Sequence, residues 1–125
     1  GAIGLAAAIE YVKSVGLAAI AAHEARLVAY GIERLGQMPG IRLIGRARER
    51  ASVLSFDVEG VHPHDVGTLL DQQGIAIRTG HHCCQPLMER LDVPATARAS
   101  FAMYNTIEEV DVLASALEHV QRVFA

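Results

Sequence analysis

Both cysteines of the chain and two of its six histidines fall within nine residues, Arg78-Thr79-Gly80-His81-His82-Cys83-Cys84-Gln85-Pro86. The nucleophilic form of cysteine is the thiolate, and a free thiol with a pKa of about 8.5 is only a few per cent ionised near neutrality. A nearby cation favours the thiolate, and a basic imidazole can take the proton. Arg78, His81 and His82 lie within a short loop's reach of Cys83, and histidine titrates near neutral pH, so it suits either task. Cys83 therefore reads as a candidate nucleophile, with His81 and His82 as thiol-activating or acid–base groups. If the preceding strand runs on, the two histidines point to opposite faces and at most one meets the thiol. Cys84 is expected to fill a gap under the following helix, as small buried cysteines commonly do.

The same residues admit other chemistry. Zinc sites space their ligands so that the backbone can wrap the ion. Contiguous His81-His82-Cys83-Cys84 side chains diverge and cannot close a tetrahedral cage alone. His62 and His64 read as solvent-exposed imidazoles at a helix start, so no metal site is assigned. The Cys-x-x-Cys spacing of dithiol redox centres is absent, and a bridge between neighbours is strained. A metal-binding or thiol-redox module built on this loop stands as the alternative of another class. Arg98 is isolated in a small, apolar segment, Ala97–Met103. Its guanidinium must reach solvent, an acidic partner or a ligand anion. The planar fork suits a carboxylate, whereas Asp57 or Asp71 could instead make it a structural ion pair.

These side chains need elements to position them. Gly74-Ile75-Ala76-Ile77 opens a buried strand over 75–79 that ends at the thiol loop. Helical spacing predicts a helix over 2–13, broken near Ser14-Val15-Gly16, and a longer one over 17–36 carrying Leu17, Ile20, Leu27, Ile32 and Leu35. Met38-Pro39-Gly40 is a turn before a strand at 41–44. Arg46–Arg50 reads as a charged loop, 52–58 as the next strand and 63–73 as a helix with Pro63 at its first position. Residues 86–91 suit a short helix and 97–103 a fourth strand. Thr106-Ile107-Glu108-Glu109 is a capping box. It opens a last helix with Val110, Leu113, Leu117, Val120 and Phe124 on one face. The fold class is α+β, a small, mostly antiparallel sheet covered by helices.

At 125 residues and 51% apolar composition, the chain is expected to form one domain, 1–125, with a folded core. A net charge of −3, with acids and bases mixed, disfavours a nucleic-acid partner. No apolar run reaches the roughly 18–20 residues that span a bilayer, and the start lacks a secretory layout. Adjacent cysteines form no disulfide framework, which points to a reducing compartment, the cytoplasm. The chain opens on Gly1 in a helical pattern, as a piece of a longer protein would. A single lysine, Lys13, stands against ten arginines, so imine chemistry has almost no candidate.

Arg78-Thr79-Gly80-His81-His82-Cys83-x-x-Pro86-Leu87-Met88 and Arg98-Ala99-Ser100-x-Ala102-Met103-Tyr104-Asn105-Thr106-x-Glu108-Glu109-Val110-Asp111 closely resemble the C-terminal domain of SufS-type cysteine desulfurases. These are class V aminotransferase-like enzymes that depend on pyridoxal phosphate and include selenocysteine lyases. Ile3-Gly4-Leu5 to Glu10-Tyr11-Val12, and His64-Asp65-Val66-Gly67 through Arg78, resemble that family too. The resemblance implies the small domain of a fold-type I enzyme, with the cofactor-binding large domain absent. It implies that pyridoxal phosphate activates L-cysteine, or L-selenocysteine, as an imine and that a loop thiolate takes the sulfur. Alanine leaves and a persulfide remains. Cys83 matches the nucleophile, Arg98 the arginine that holds the substrate carboxylate, and Arg78 an arginine near the same pocket. A SufE- or SufU-like acceptor, iron–sulfur cluster assembly and a homodimer are also implied for the full-length enzyme. The fragment alone should be inactive and bind no cofactor. Cys84 and Gln85 depart from the Ala and Met common in the family.

Overall fold

The computed structural model describes residues 1–45 and 47–125. Five helices and four strands follow one another as α1 (Ala2–Val15), α2 (Leu17–Gly36), β1 (Ile41–Ile44), β2 (Val53–Val58), α3 (Pro63–Asp71), β3 (Arg78–Gly80), α4 (Gln85–Leu91), β4 (Thr96–Ser100) and α5 (Ile107–Val123). The sheet order is β1-β2-β4-β3, with every neighbouring pair antiparallel. This is the expected α+β class, with the sheet antiparallel throughout.

Strand residues alternate between two faces, and that alternation divides the molecule. Leu54, Phe56 and Val58 point to one side with Ala97 and Ala99, and all five are buried. Helices α2, α3 and α5 pack on this side. They contribute Leu27, Val28 and Leu35, then Val66 and Leu70, then Val110, Leu113, Leu117 and Val120. Arg42, Asp57, Ser55, Arg98 and Arg78 occupy the other side, none of them fully buried. Thr96, also on this side, is buried beneath the thiol loop.

Helix ends follow from local chemistry. Gly16, at φ 93°, separates α1 from α2, which bend by 78°. The Thr106 capping box forms as expected: its hydroxyl accepts from the Glu109 N–H, and the Glu109 carboxylate accepts from the Thr106 N–H. That carboxylate also accepts from Asn105, and the two bonds, Asn105 first, hold Glu109 below its ordinary pKa. Helix α3 is capped less conventionally, by His62, whose Nδ1 accepts from the His64 N–H. Helices α2 and α5 are tied by Tyr30, which donates to Asp111 at 2.7 Å.

Several expectations shift. Residues 75–77 are not paired into the sheet, and β3 is only Arg78–Gly80. A cleft of about 340 Å³ lies between Gln73–Ile77 and Ala99–Phe101, so the two segments diverge although Ile75 and Ile77 still touch the core. Strand β4 is Thr96–Ser100 rather than 97–103, because Ala102 turns back and its N–H is taken by the Asn105 side chain. Helix α3 stops at Asp71, ahead of the left-handed Gly74. Phe124 is half exposed beyond α5 rather than on its buried face. Of the charged loop expected over 46–50, Arg46 lies outside the described residues, and the other four are exposed. Helix α1 reaches Val15 and buries none of its residues; Ile3 is 90% exposed, and Leu17, at the start of α2, 70%.

Gly67 lets α3 lie directly on β3, since a Cβ there would stand 2.9 Å from Thr79 Cγ2. The Gly67→Val substitution should destabilise the chain by about 1–3 kcal/mol in denaturant unfolding, as overpacked contacts do. In a double-mutant cycle, Thr79→Ala should recover part of that loss.

Candidate functional site around the thiol loop

The site is assembled on the sheet face opposite the core. In the β3–β4 ladder Arg78 is directly opposite Arg98, and Ser55 flanks Arg98 on the other side. Side chains opposite one another on an antiparallel pair lie on the same face with Cβ atoms about 4.5–5.5 Å apart. Two guanidiniums therefore share one surface. The Arg98 Nε is buried and has no hydrogen-bond partner among the described residues. The acids considered for it are placed otherwise. Asp57 accepts from Arg42 at 3.1 Å, and no ion pair joins Asp71 to Arg98 among the described residues.

After Gly80 the chain leaves the sheet through His82 (φ 53°) and Cys83 (φ 57°). Two consecutive non-glycine residues in the left-handed region cost about 1–2 kcal/mol each. The turn is closed by the Cys84 N–H, which donates to the His81 carbonyl at 2.8 Å. It is anchored by His82, whose Nε2 lies 3.0 Å from Thr96 Oγ1 and 3.2 Å from the Thr96 carbonyl. A carbonyl only accepts, so the neutral ring that donates to it carries its proton on Nε2. The other nitrogen, Nδ1, is then a buried lone pair with no partner among the described residues.

This geometry sends the two histidines in different directions, with His82 on the side of Gly80 and Thr96. The strand does not continue. His82 turns inward against Thr96, while His81 stays exposed. Burial pushes the His82 pKa below its ordinary value, with Arg98 adding repulsion and the Thr96 carbonyl opposing the shift. His82 is therefore neutral at neutral pH.

Cys83 and Cys84 are both exposed free thiols. For Cys84 this corrects the expectation of a buried gap-filler. It stands just before α4 without a side-chain cap bond, and Met88 fills the space beneath that helix instead. The side chains brought together are thus Arg78, Arg98, His82 and Thr96, and the exposed Cys83 follows His82 in the chain. His81 is not drawn in. Thr96 was not singled out from the sequence; it lies one residue before the strand expected over 97–103. Among the described residues no three His, Cys, Asp or Glu side chains gather where a metal ion could sit. His62 and His64 are exposed at the start of α3, as expected. No single helix among the described residues is long and apolar enough to cross a membrane.

The frame and the site together define a class. Residues 1–113 match the family model for aminotransferase class-V, and the chain belongs to that family, whose members depend on pyridoxal phosphate. Among its relatives, a protein named "Probable cysteine desulfurase" from Halalkalibacterium halodurans is 52% identical over 124 residues, 99% of this chain and 30% of the relative. One of the same name from Streptomyces coelicolor is 50% identical over 125 residues, again 30% of the relative. Among solved structures, the apo cysteine desulfurase of Thermococcus onnurineus superposes with a TM-score of 0.91 at 42% identity, over 96% of this chain and 30% of that one. The Escherichia coli cysteine desulfurase CsdA, in an S-sulfonic acid form, gives 0.92 at 38% identity, over all of this chain and 31% of that one. The chain thus spans about 30% of the length of these relatives.

A pH test isolates His82. Its folded pKa lies below its unfolded value of about 6.5, so below that pH the unfolded chain binds the extra proton first. The stabilisation is complete above about pH 6.5 and is lost as pH falls through the window beneath it. Thermal melts of the wild-type chain should therefore drop across that window more steeply than those of His82→Gln, which cannot titrate. Equal slopes would show that His82 is not held neutral.

Proposed function

We propose that this chain is the small C-terminal domain of a pyridoxal-phosphate-dependent cysteine desulfurase, in which Cys83 takes sulfur from L-cysteine as a persulfide and L-alanine is released. The observation that carries the reading is the Arg98 Nε, buried without a partner beside a second guanidinium and the loop that holds Cys83. A buried donor left unpaired costs about 1–3 kcal/mol, more when charged, and a substrate carboxylate would satisfy it. Arg78, opposite, adds positive charge to the same surface. The exposed Cys83 follows directly on His82, whose ring rests on Thr96, two residues from Arg98 on the same face. The relatives' names and the family's cofactor point to the same activity.

The residues present do not fit pyridoxal phosphate itself. Lys13, the chain's one lysine, is exposed on α1 and paired with Glu10 at 3.1 Å. The cofactor's lysine and phosphate cradle would come from the rest of the full-length enzyme. The unburied apolar residues of α1 and the uncovered sheet face give that remainder a surface to rest on. In the full-length form we propose a cytoplasmic homodimer that passes its sulfur to a SufE- or SufU-like acceptor for iron–sulfur cluster assembly. L-selenocysteine is the alternative substrate, since it differs from L-cysteine by one atom at the reacting centre. The metal-binding alternative is disfavoured, because His82 is spent on Thr96 and, among the described residues, no three His, Cys, Asp or Glu side chains gather.

The 125-residue chain alone should release no alanine from L-cysteine. In the full-length enzyme, Cys83→Ser should abolish protein-bound persulfide, as read by alkylation and mass spectrometry. Persistent sulfur transfer to an acceptor by that variant overturns the assignment of Cys83. Arg98→Lys keeps the charge but loses the fork, and should lower kcat/KM for L-cysteine by about 10–100-fold, the value of a bidentate charged hydrogen bond. A loss confined to stability, with kcat/KM unchanged, would make Arg98 structural.

A further inference from the structure

We infer that Cys84 is a second sulfur carrier, receiving the sulfane sulfur from Cys83 across one peptide bond. The inference rests on the reading of Cys83 as the first acceptor. It starts from an observation that reading does not use: Cys84 is a free thiol, exposed beside an exposed Cys83. Among the described residues nothing bonds to its thiol. It makes no side-chain cap bond to α4, whose apolar contact with the interior is made by Met88. Its backbone is nonetheless fixed, because its N–H donates to the His81 carbonyl. The loop thus presents two thiols from adjacent, anchored positions.

Spacing selects what they can do to one another. No peptide bond among the described residues is cis, so the two Cα atoms stand about 3.8 Å apart. That is shorter than the roughly 4.4–6.8 Å that disulfides prefer, so direct closure of a Cys83–Cys84 bridge is strained. Passing a sulfur atom between them is not subject to that constraint. In an in-line exchange the two γ-sulfurs flank the moving atom and stay at least about 4 Å apart, two S–S lengths. The Cys84 thiolate attacks the terminal sulfur of Cys83–S–SH. The new Cys84–sulfur bond forms as the Cys83–sulfur bond breaks, and the electron pair leaves on Cys83 as its thiolate. The proton lost by Cys84 is balanced by one taken up at Cys83. There is no net oxidation or reduction, and no other reactant is needed. Cys83 is freed for another substrate while the sulfur waits on its neighbour.

The experiment uses the full-length enzyme with pyridoxal phosphate and L-cysteine, quenched with iodoacetamide at successive times. Trypsin, cutting after Arg78 and Arg90, releases one peptide that holds both cysteines, and fragment ions between them place the extra sulfur. The wild type should show it on Cys83 first and on Cys84 later. Cys84→Ala should lose all of the late label, and Cys83→Ser should load neither position. Sulfur confined to Cys83 at every time overturns the relay, as does a Cys83–Cys84 disulfide formed with sulfide release. Loading of Cys84 in Cys83→Ser overturns the order of transfer and the role of Cys83 together. Absence of both alanine and persulfide in the wild type removes the desulfurase reading, and the relay with it.

Discussion

Two guanidiniums facing each other across a β-ladder form the constraint on which the candidate site depends. Like charges directly opposite on an antiparallel pair are destabilising. The pairing of Arg78 with Arg98 is imposed by the sheet order, because among the described residues β3 pairs with β4 alone and its register is set by three residues. The backbone opposition is fixed by that register, although the exposed Arg78 side chain reaches toward solvent. Nearby acids do not relieve it, Asp57 being engaged by Arg42. The surface therefore carries positive charge that no acid among the described residues balances. The same field reaches His82, where it adds to burial in keeping the ring neutral.

The sheet can carry this strain because its other face is strongly held. Phe56, Leu54, Ala97 and Ala99 are buried under three helices from widely separated parts of the chain. The division of labour follows from the period of two along a strand: each residue that faces the core puts its neighbour on the open side. In β4 the alternation Thr96, Ala97, Arg98, Ala99, Ser100 sets two small buried residues between three polar ones. The small side chains let the helices come close, and the polar ones are left for chemistry. Gly67 serves the same end from the helix side, since only its missing Cβ lets α3 meet Thr79.

Much of the frame was legible in the sequence because its signals are local. Helix α2, strand β1 and the Thr106 capping box form where periodicity and capping chemistry place them. The errors arise where a non-local partner decides. Ile75-Ala76-Ile77 has the composition of a strand, but strand pairing needs a neighbour, and the chain beyond Ser100 turns away instead. Cys84 carries a residue type that is usually buried, yet the helix it precedes is seated by Met88. Part of the candidate site was legible too: the cysteine loop and Arg98 stand out by residue type alone. The anchoring of His82 was not, because it depends on a threonine fourteen residues away, and the left-handed backbone at His82 and Cys83 is not encoded by sequence pattern.

That left-handed turn explains why Cys83 stands where it does. A strand running on would alternate its side chains, leaving Cys83 on the same face as His81. Alternation already sets His82 on the side of Gly80 and Thr96; the positive φ at His82 and Cys83 then takes the chain out of the sheet, and both thiols remain in solvent. Strained backbone of this kind persists only where its surroundings over-determine it. Here the His82 ring and the Cys84 N–H hold the loop from its two sides. A thiol on such a loop is exposed without being free to wander, which is the condition a nucleophile needs if a second surface is to bring substrate to it.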